Sequence, residues 1–137
     1  MKLTAPYFGS LLAFIVIDFV WLGLIMAGFY REQLGFILAE NFNLFVAGIF
    51  YFIYTAGVFI FAVLPSVREG KWQRAALLGS LLGFVAYATY DLSNLATLKG
   101  WPVIVVLVDI VWGSLLTSIT AVTGFVLVKL YNRPKKI

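Results

Sequence analysis

The stretch from Pro102 to Val128, PVIVVLVDIVWGSLLTSITAVTGFVLV, holds one ionisable residue, Asp109, in 27 positions. A helix crosses a bilayer with about 20 predominantly apolar residues, and a helix that is apolar on every face is either wholly buried or in lipid. This stretch therefore reads as a transmembrane helix. Working outward, three more meet the same test: Pro6 to Phe29, Leu44 to Leu64 and Ala75 to Leu98. The composition agrees, with 63% hydrophobic and 12% charged residues and a mean hydropathy of +1.01, against roughly 25% charged in soluble domains. The fold class predicted is all-α, an integral membrane four-helix bundle. It is a single domain over residues 1–137, with helices at about 6–29, 44–64, 75–98 and 102–128 and no room for a separate soluble domain.

Local punctuation marks the helix ends. Thr4 with Pro6 opens the first helix, Pro65-Ser66 closes the second, and Lys99-Gly100-Trp101-Pro102 makes a turn so short that the third and fourth must be antiparallel neighbours. The loop from Tyr30 to Asn43 keeps Leu34, Phe36, Ile37 and Leu38, so it is expected to lie in the interface or to extend the first helix. The first segment is longer than the apolar core of a secretory signal and carries Asp18 at its middle, so it is expected to stay in the protein.

Lys2, Arg68, Lys71, Arg74, Lys129, Arg133, Lys135 and Lys136 all fall on one side of such a topology, and only Arg31 and Lys99 on the other. By the positive-inside rule both termini are cytoplasmic. The same asymmetry, with attraction to anionic headgroups, accounts for the net charge of +4, so no nucleic-acid partner is called for. Trp72 and Trp101 are expected as interfacial anchors.

Two near-copies of one motif carry the first and last of three aspartates: Val16-Ile17-Asp18-Phe19-Val20-Trp21 and Leu107-Val108-Asp109-Ile110-Val111-Trp112. A carboxylate at the bilayer centre costs roughly 2.5 to 3.5 kcal/mol on insertion scales, which makes each a candidate functional residue. The i, i+3 spacing puts each Asp and its Trp on one helix face, and an indole can only donate to a carboxylate. Since helices one and four run in opposite directions, the two copies raise the prospect of an inverted repeat relating helices 1 and 4.

On the third helix Tyr87, Asp91 and Asn94 form a stripe at i, i+4, i+7 bordered by Tyr90 and Thr97, with Gly79 and Gly83 a small-xxx-small pair for close helix approach. The fourth helix carries Asp109, Gly113, Thr117, Thr120 and Gly124 on one stripe, read either as packing residues or as a polar route from Asp109 toward the cytoplasm.

At about 1.5 Å per residue, Asp91 lies roughly 24 Å from Ala75, Asp109 roughly 10 Å from Pro102 and Asp18 about 18 Å from Pro6. The first two fall in the outer half of a roughly 30 Å core and the third near its midplane, so the three can face one cavity opening outward. No Lys, Arg or His occurs inside the four segments, and the chain has neither Cys nor His. Thiolate chemistry, His- or Cys-ligated metal and haem are excluded on that ground. What can keep the acids buried is a proton, hydrogen bonds from Tyr, Trp and Asn, or a cation from outside. The candidate binding residues are Asp18, Trp21, Tyr87, Tyr90, Asp91, Asn94, Asp109 and Trp112, with no metal site and no cofactor expected.

The run from Tyr87 to Leu98, then Trp101-Pro102 and Asp109-Ile110-Val111-Trp112-Gly113, together with Asp18-x-x-Trp21-Leu22-Gly23, resembles the bacterial membrane protein family of domain of unknown function 2177. The resemblance spans nearly the whole chain. It implies a small four-helix protein of the bacterial inner membrane and supplies no activity, cofactor or catalytic residue.

Three functions are compatible with these residues. The first is binding or transport of a proton, a cation or a small cationic or amphipathic molecule at the aspartates, with Trp21, Trp112, Tyr87 and Tyr90 as apolar, cation–π walls. The second is a membrane-embedded enzyme acting on a lipid. The third is an accessory or structural subunit whose small-residue faces meet a partner, a homodimer included. Membrane lipids are partners in each case.

Overall fold

The protein was described from a computed structural model covering residues 1–133; the expected cytoplasmic cations Lys135 and Lys136 lie outside the described residues. All regular structure among these residues is helical, and four helices are long and apolar enough to cross a membrane: Thr4–Ile25, Leu44–Glu69, Trp72–Thr97 and Val103–Tyr131.

The first span begins as helix α1 (Thr4–Val20) and widens in a π turn, Trp21–Ile25, where the Met26 N–H reaches back to the Trp21 carbonyl at 2.8 Å. Met26 then leaves the helical region (φ −112°, ψ 10°) and a short helix α2, Ala27–Leu34, follows. The single helix expected over 6–29 is thus two pieces, because Gly23 and Gly28 bracket the break and weaken the helix there.

The second span opens at Asn43, whose side chain accepts from the Val46 N–H at 3.1 Å. It runs as α3 (Leu44–Val58), a π turn (Phe59–Val63) and α4 (Leu64–Glu69) without interruption. The end expected at Pro65-Ser66 is therefore corrected. Proline is tolerated in the first turn of a helical segment, and here the π turn resets the ladder just ahead of it while the Ser66 hydroxyl donates to the Ala62 carbonyl at 2.7 Å. The actual stop is Gly70 in the left-handed conformation, φ 73°.

The third and fourth spans are α5 (Trp72–Thr97) and α6 (Val103–Tyr131), a few residues longer than expected at their far ends and joined by the short turn through Gly100 (φ 77°). They form the most extensive interface in the molecule. At Gly79 an added Cβ would stand 2.8 Å from the Ala121 Cβ and from the Thr117 carbonyl, and at Gly83 2.7 Å from the Thr117 hydroxyl, so the backbones touch. Ser118 pins the pair by donating to the Ala76 carbonyl at 3.0 Å.

Helix α6 is the hub: α1, α3, α4, α5 and the second π turn all pack on it. At one end the Lys2 N–H donates to Asn132 Oδ1 (2.8 Å) and the Asn132 amide returns a bond to the Lys2 carbonyl (3.0 Å), so the start of α1 and the end of α6 lie together. We call this the terminal end and the opposite one the loop end. A core of Val58, Phe59, Ala62, Val63, Ala75, Ala121, Phe125 and Val128 fills the terminal half. A smaller cluster of Leu34, Trp101, Val105 and Val106 fills the loop end. Trp101, expected at the headgroup level, is instead buried at 8% exposure because the Gly100 turn folds it into this cluster. Trp72 is exposed, as an interfacial anchor would be.

Helix α5 meets the second span chiefly at the π turn, whereas α3, the loop-end part of that span, stands off from it. That separation leaves the gap in which the polar residues gather.

Candidate functional site

The gap is a cleft of about 550 Å³ lined by residues of all four spans and of α2, among them Asp18, Tyr51, Tyr54, Tyr87, Asp109 and Trp112. Among the described residues no Lys or Arg side chain lines it.

Asp18 is 4% exposed and receives one donor on each oxygen, the Tyr51 phenol at 2.7 Å on Oδ2 and the Trp112 indole at 3.1 Å on Oδ1. Asp109 accepts from the Tyr30 phenol on Oδ1, and the Tyr30 oxygen in turn accepts from the Trp21 indole at 3.2 Å. Each motif thus serves the other: the tryptophan of the second bonds the aspartate of the first directly, and the tryptophan of the first reaches the aspartate of the second through one phenol. The two indoles stack face to face, centroids 4.1 Å apart and planes within 6°. The i, i+3 spacing makes this possible, since each Trp projects from the face that carries its Asp. The likeness of the two halves is confined to these contacts, for the second half is two uninterrupted helices and the first contains both π turns and α2.

Tyr30 sits on α2, beyond the first span. Burial first, and then the Asp109 carboxylate to which it donates, hold its phenol well above the ordinary range, so it is a standing proton donor.

Of the eight residues expected from sequence, Asp18, Tyr87, Tyr90, Asp109 and Trp112 line the cleft and Trp21 backs it by stacking on Trp112. Asp91 and Asn94 do not line it. Asp91 is fully buried, and among the described residues neither carboxyl oxygen has a hydrogen-bond partner. The Trp101 indole N–H is likewise buried and unpartnered. Asn94 is half-buried, nearly one turn further along α5. Among the described residues no three acidic side chains gather closely enough to hold a metal ion.

Sequence reasoning missed Tyr30, Tyr51 and Tyr54. Tyr51 and Tyr54 share the i, i+3 spacing of the Asp-x-x-Trp motifs, which was the available signal, and Tyr54 closes the cleft floor by a 2.7 Å bond with the Thr117 hydroxyl. Thr117 is therefore a packing residue on α6 that also holds a wall of the cleft, and Thr120 bonds its own helix at the Leu116 carbonyl.

Chemically, the cleft offers two carboxylates with no basic neighbour among the described residues, and phenol and indole rings for walls. Such a site favours a positive charge carried on an apolar or aromatic body. Comparison with curated proteins finds no match to the chain, and comparison with solved structures finds none either. Residues 3–126 match a family described as a predicted membrane protein of domain of unknown function 2177, and with nearly the whole chain and four membrane-length helices accounted for, the protein belongs to that family of membrane proteins.

Proposed function

We propose that the protein binds, as carrier or receptor, a proton or a small cationic amphipathic molecule between Asp18 and Asp109, inside the membrane. The observation that carries this reading is the pairing of two carboxylates in one aromatic cleft that no Lys or Arg among the described residues lines. Inside hydrocarbon an unpaired carboxylate calls for a proton or another positive charge, and here the described lining supplies hydrogen-bond donors but no cation. A proton and an organic cation compete for the same oxygens. The ring faces of Tyr87, Tyr90 and Trp112 add cation–π attraction on the flanks. In this reading the terminal end, which carries Lys2, Arg68, Lys71, Arg74, Lys129 and Arg133, faces the cytoplasm across a bacterial inner membrane.

The test is binding of tetraphenylphosphonium to the protein in lipid nanodiscs, by calorimetry. Hydrogen bonds and contacts to a charged group contribute about 1.5 to 3 kcal/mol, so Asp18→Asn and Asp109→Asn should each weaken binding roughly 10- to 150-fold. Asparagine keeps the size and much of the hydrogen bonding of a protonated aspartate, so both variants should insert and fold. Variants that fold and bind as before would remove the carboxylates from the site. Variants that fail to fold would make them tie-bars between helices.

A further inference from the structure

Apolar clusters lie toward both ends of the cleft. Toward the terminal end lies the core built on Val58, Val63 and Phe125. Toward the loop end lies the cluster of Leu34, Trp101, Val105 and Val106, with Phe29 and Tyr30 packed on it, and Leu34 and Tyr30 are themselves cleft walls. A water-borne solute therefore meets an apolar cluster at either end. On one side of the cleft α3 and α5 diverge, the second span meeting α5 chiefly at its π turn and not along α3. Phe50 on α3 and Tyr90 on α5 flank that side: both line the cleft, yet 46% and 57% of their surfaces are exposed. Beside Phe50 on α3, Ile49 and Ile53 are large exposed hydrophobics on a membrane-length helix, so acyl chain lies against that lip.

We infer that the ligand reaches Asp18 and Asp109 sideways from the bilayer, and that it is a lipid-like amine. The ammonium head sits between the carboxylates and the hydrocarbon tail leaves between Phe50 and Tyr90 into the membrane. This rests on the cation reading above and adds to it the route and the ligand class. A volume of about 550 Å³ suits a headgroup and the first part of a chain, with the remainder of the tail solvated by lipid at no cost in apolar exposure. The two residues with small side chains on the facing helices, Ala47 and Ala86, leave the width a chain needs.

The experiment is photolabelling in nanodiscs with octadecylamine carrying a diazirine at mid-chain, adducts being mapped by mass spectrometry. The expected result is labelling concentrated on the α3 and α5 lips around Phe50 and Tyr90, suppressed by excess octadecylamine and not by octadecanol, and reduced at least several-fold in the Asp18→Asn/Asp109→Asn double variant. Adducts spread evenly over lipid-facing residues and indifferent to the aspartates would overturn the inference, as would adducts confined to the loop at 35–43, which would mean access from the aqueous end. If tetraphenylphosphonium still binds in an aspartate-dependent way while the amine labels no lip residue, the lateral route fails and the cation site stands. If neither probe depends on the aspartates, both fail.

Discussion

Replacing Gly83 by alanine should loosen the bundle at the contact that fixes the cleft. A Cβ at this position would meet the Gly113 carbonyl and stand 2.7 Å from the Thr117 hydroxyl. Neither can yield without moving α6, because one is backbone and the other is held by Tyr54 at 2.7 Å. Overpacking of this kind costs about 1 to 3 kcal/mol, while alanine gains about 0.5 to 1 kcal/mol over glycine in a helix interior. Gly57→Ala is the matched control, since a Cβ on Gly57, within α3, would meet nothing within 4 Å. The propensity gain is common to both, so the gap between the two variants isolates the clash. It should be about 1 to 3 kcal/mol, roughly 5- to 150-fold in the unfolding constant, with Gly57→Ala at or above the parent. Unfolding by rising SDS fraction in mixed micelles, followed by tryptophan fluorescence, measures both. Equal midpoints for the two variants would show that α5 and α6 do not approach as closely as described.

Three further outcomes are expected. In a double-mutant cycle on Trp21→Leu and Trp112→Leu, the stacked indoles should show a favourable coupling of about 0.5 to 1.5 kcal/mol, and strictly additive losses of stability would argue against the stack. Tyr30, buried and bonded to Asp109, ionises above the ordinary value of 10.0; because the unfolded phenol gives up its proton first, its stabilising contribution is whole below pH 10 and lost as pH rises from there. Tyr30→Phe should therefore flatten the alkaline limb of the stability profile, and an unchanged limb would contradict the assignment. Alkaline phosphatase fused after Ile137 should stay in the cytoplasm and be inactive, as the Lys and Arg asymmetry predicts; an active fusion would invert the topology.

The four spans were legible because their apolar runs are long and their punctuation is local, and the Asp-x-x-Trp pairs were legible because i, i+3 spacing fixes a shared face whatever the neighbours are. What escaped sequence reasoning depends on relations between helices or on small changes of register. A π turn adds one residue without altering composition, so Pro65 read as a stop although Phe59–Val63 had already reset the ladder. Asp91 and Tyr87 share a stripe on α5, yet only Tyr87 borders the gap, because where α6 lies against that stripe is set by Gly79, Gly83 and Gly113. Tyr51 and Tyr54 passed as aromatic bulk in an apolar run, and their partners, Asp18 and Thr117, are 33 and 63 residues away. The sideways gap arises from the standing-off of α3 from α5, which no single helix encodes.

The aspartate contacts also impose an order of events during biogenesis. As spans leave the translocon in sequence, the first hairpin can provide Asp18 with Tyr51, 33 residues on. Its second donor, Trp112, is synthesised 94 residues after it, and Tyr30 waits 79 residues for Asp109. Until the fourth span has left the insertion machinery, the nascent chain carries a half-satisfied acid in lipid. A chain stalled or truncated before α6 thus leaves Asp18 short of its second donor and Tyr30 without its acceptor.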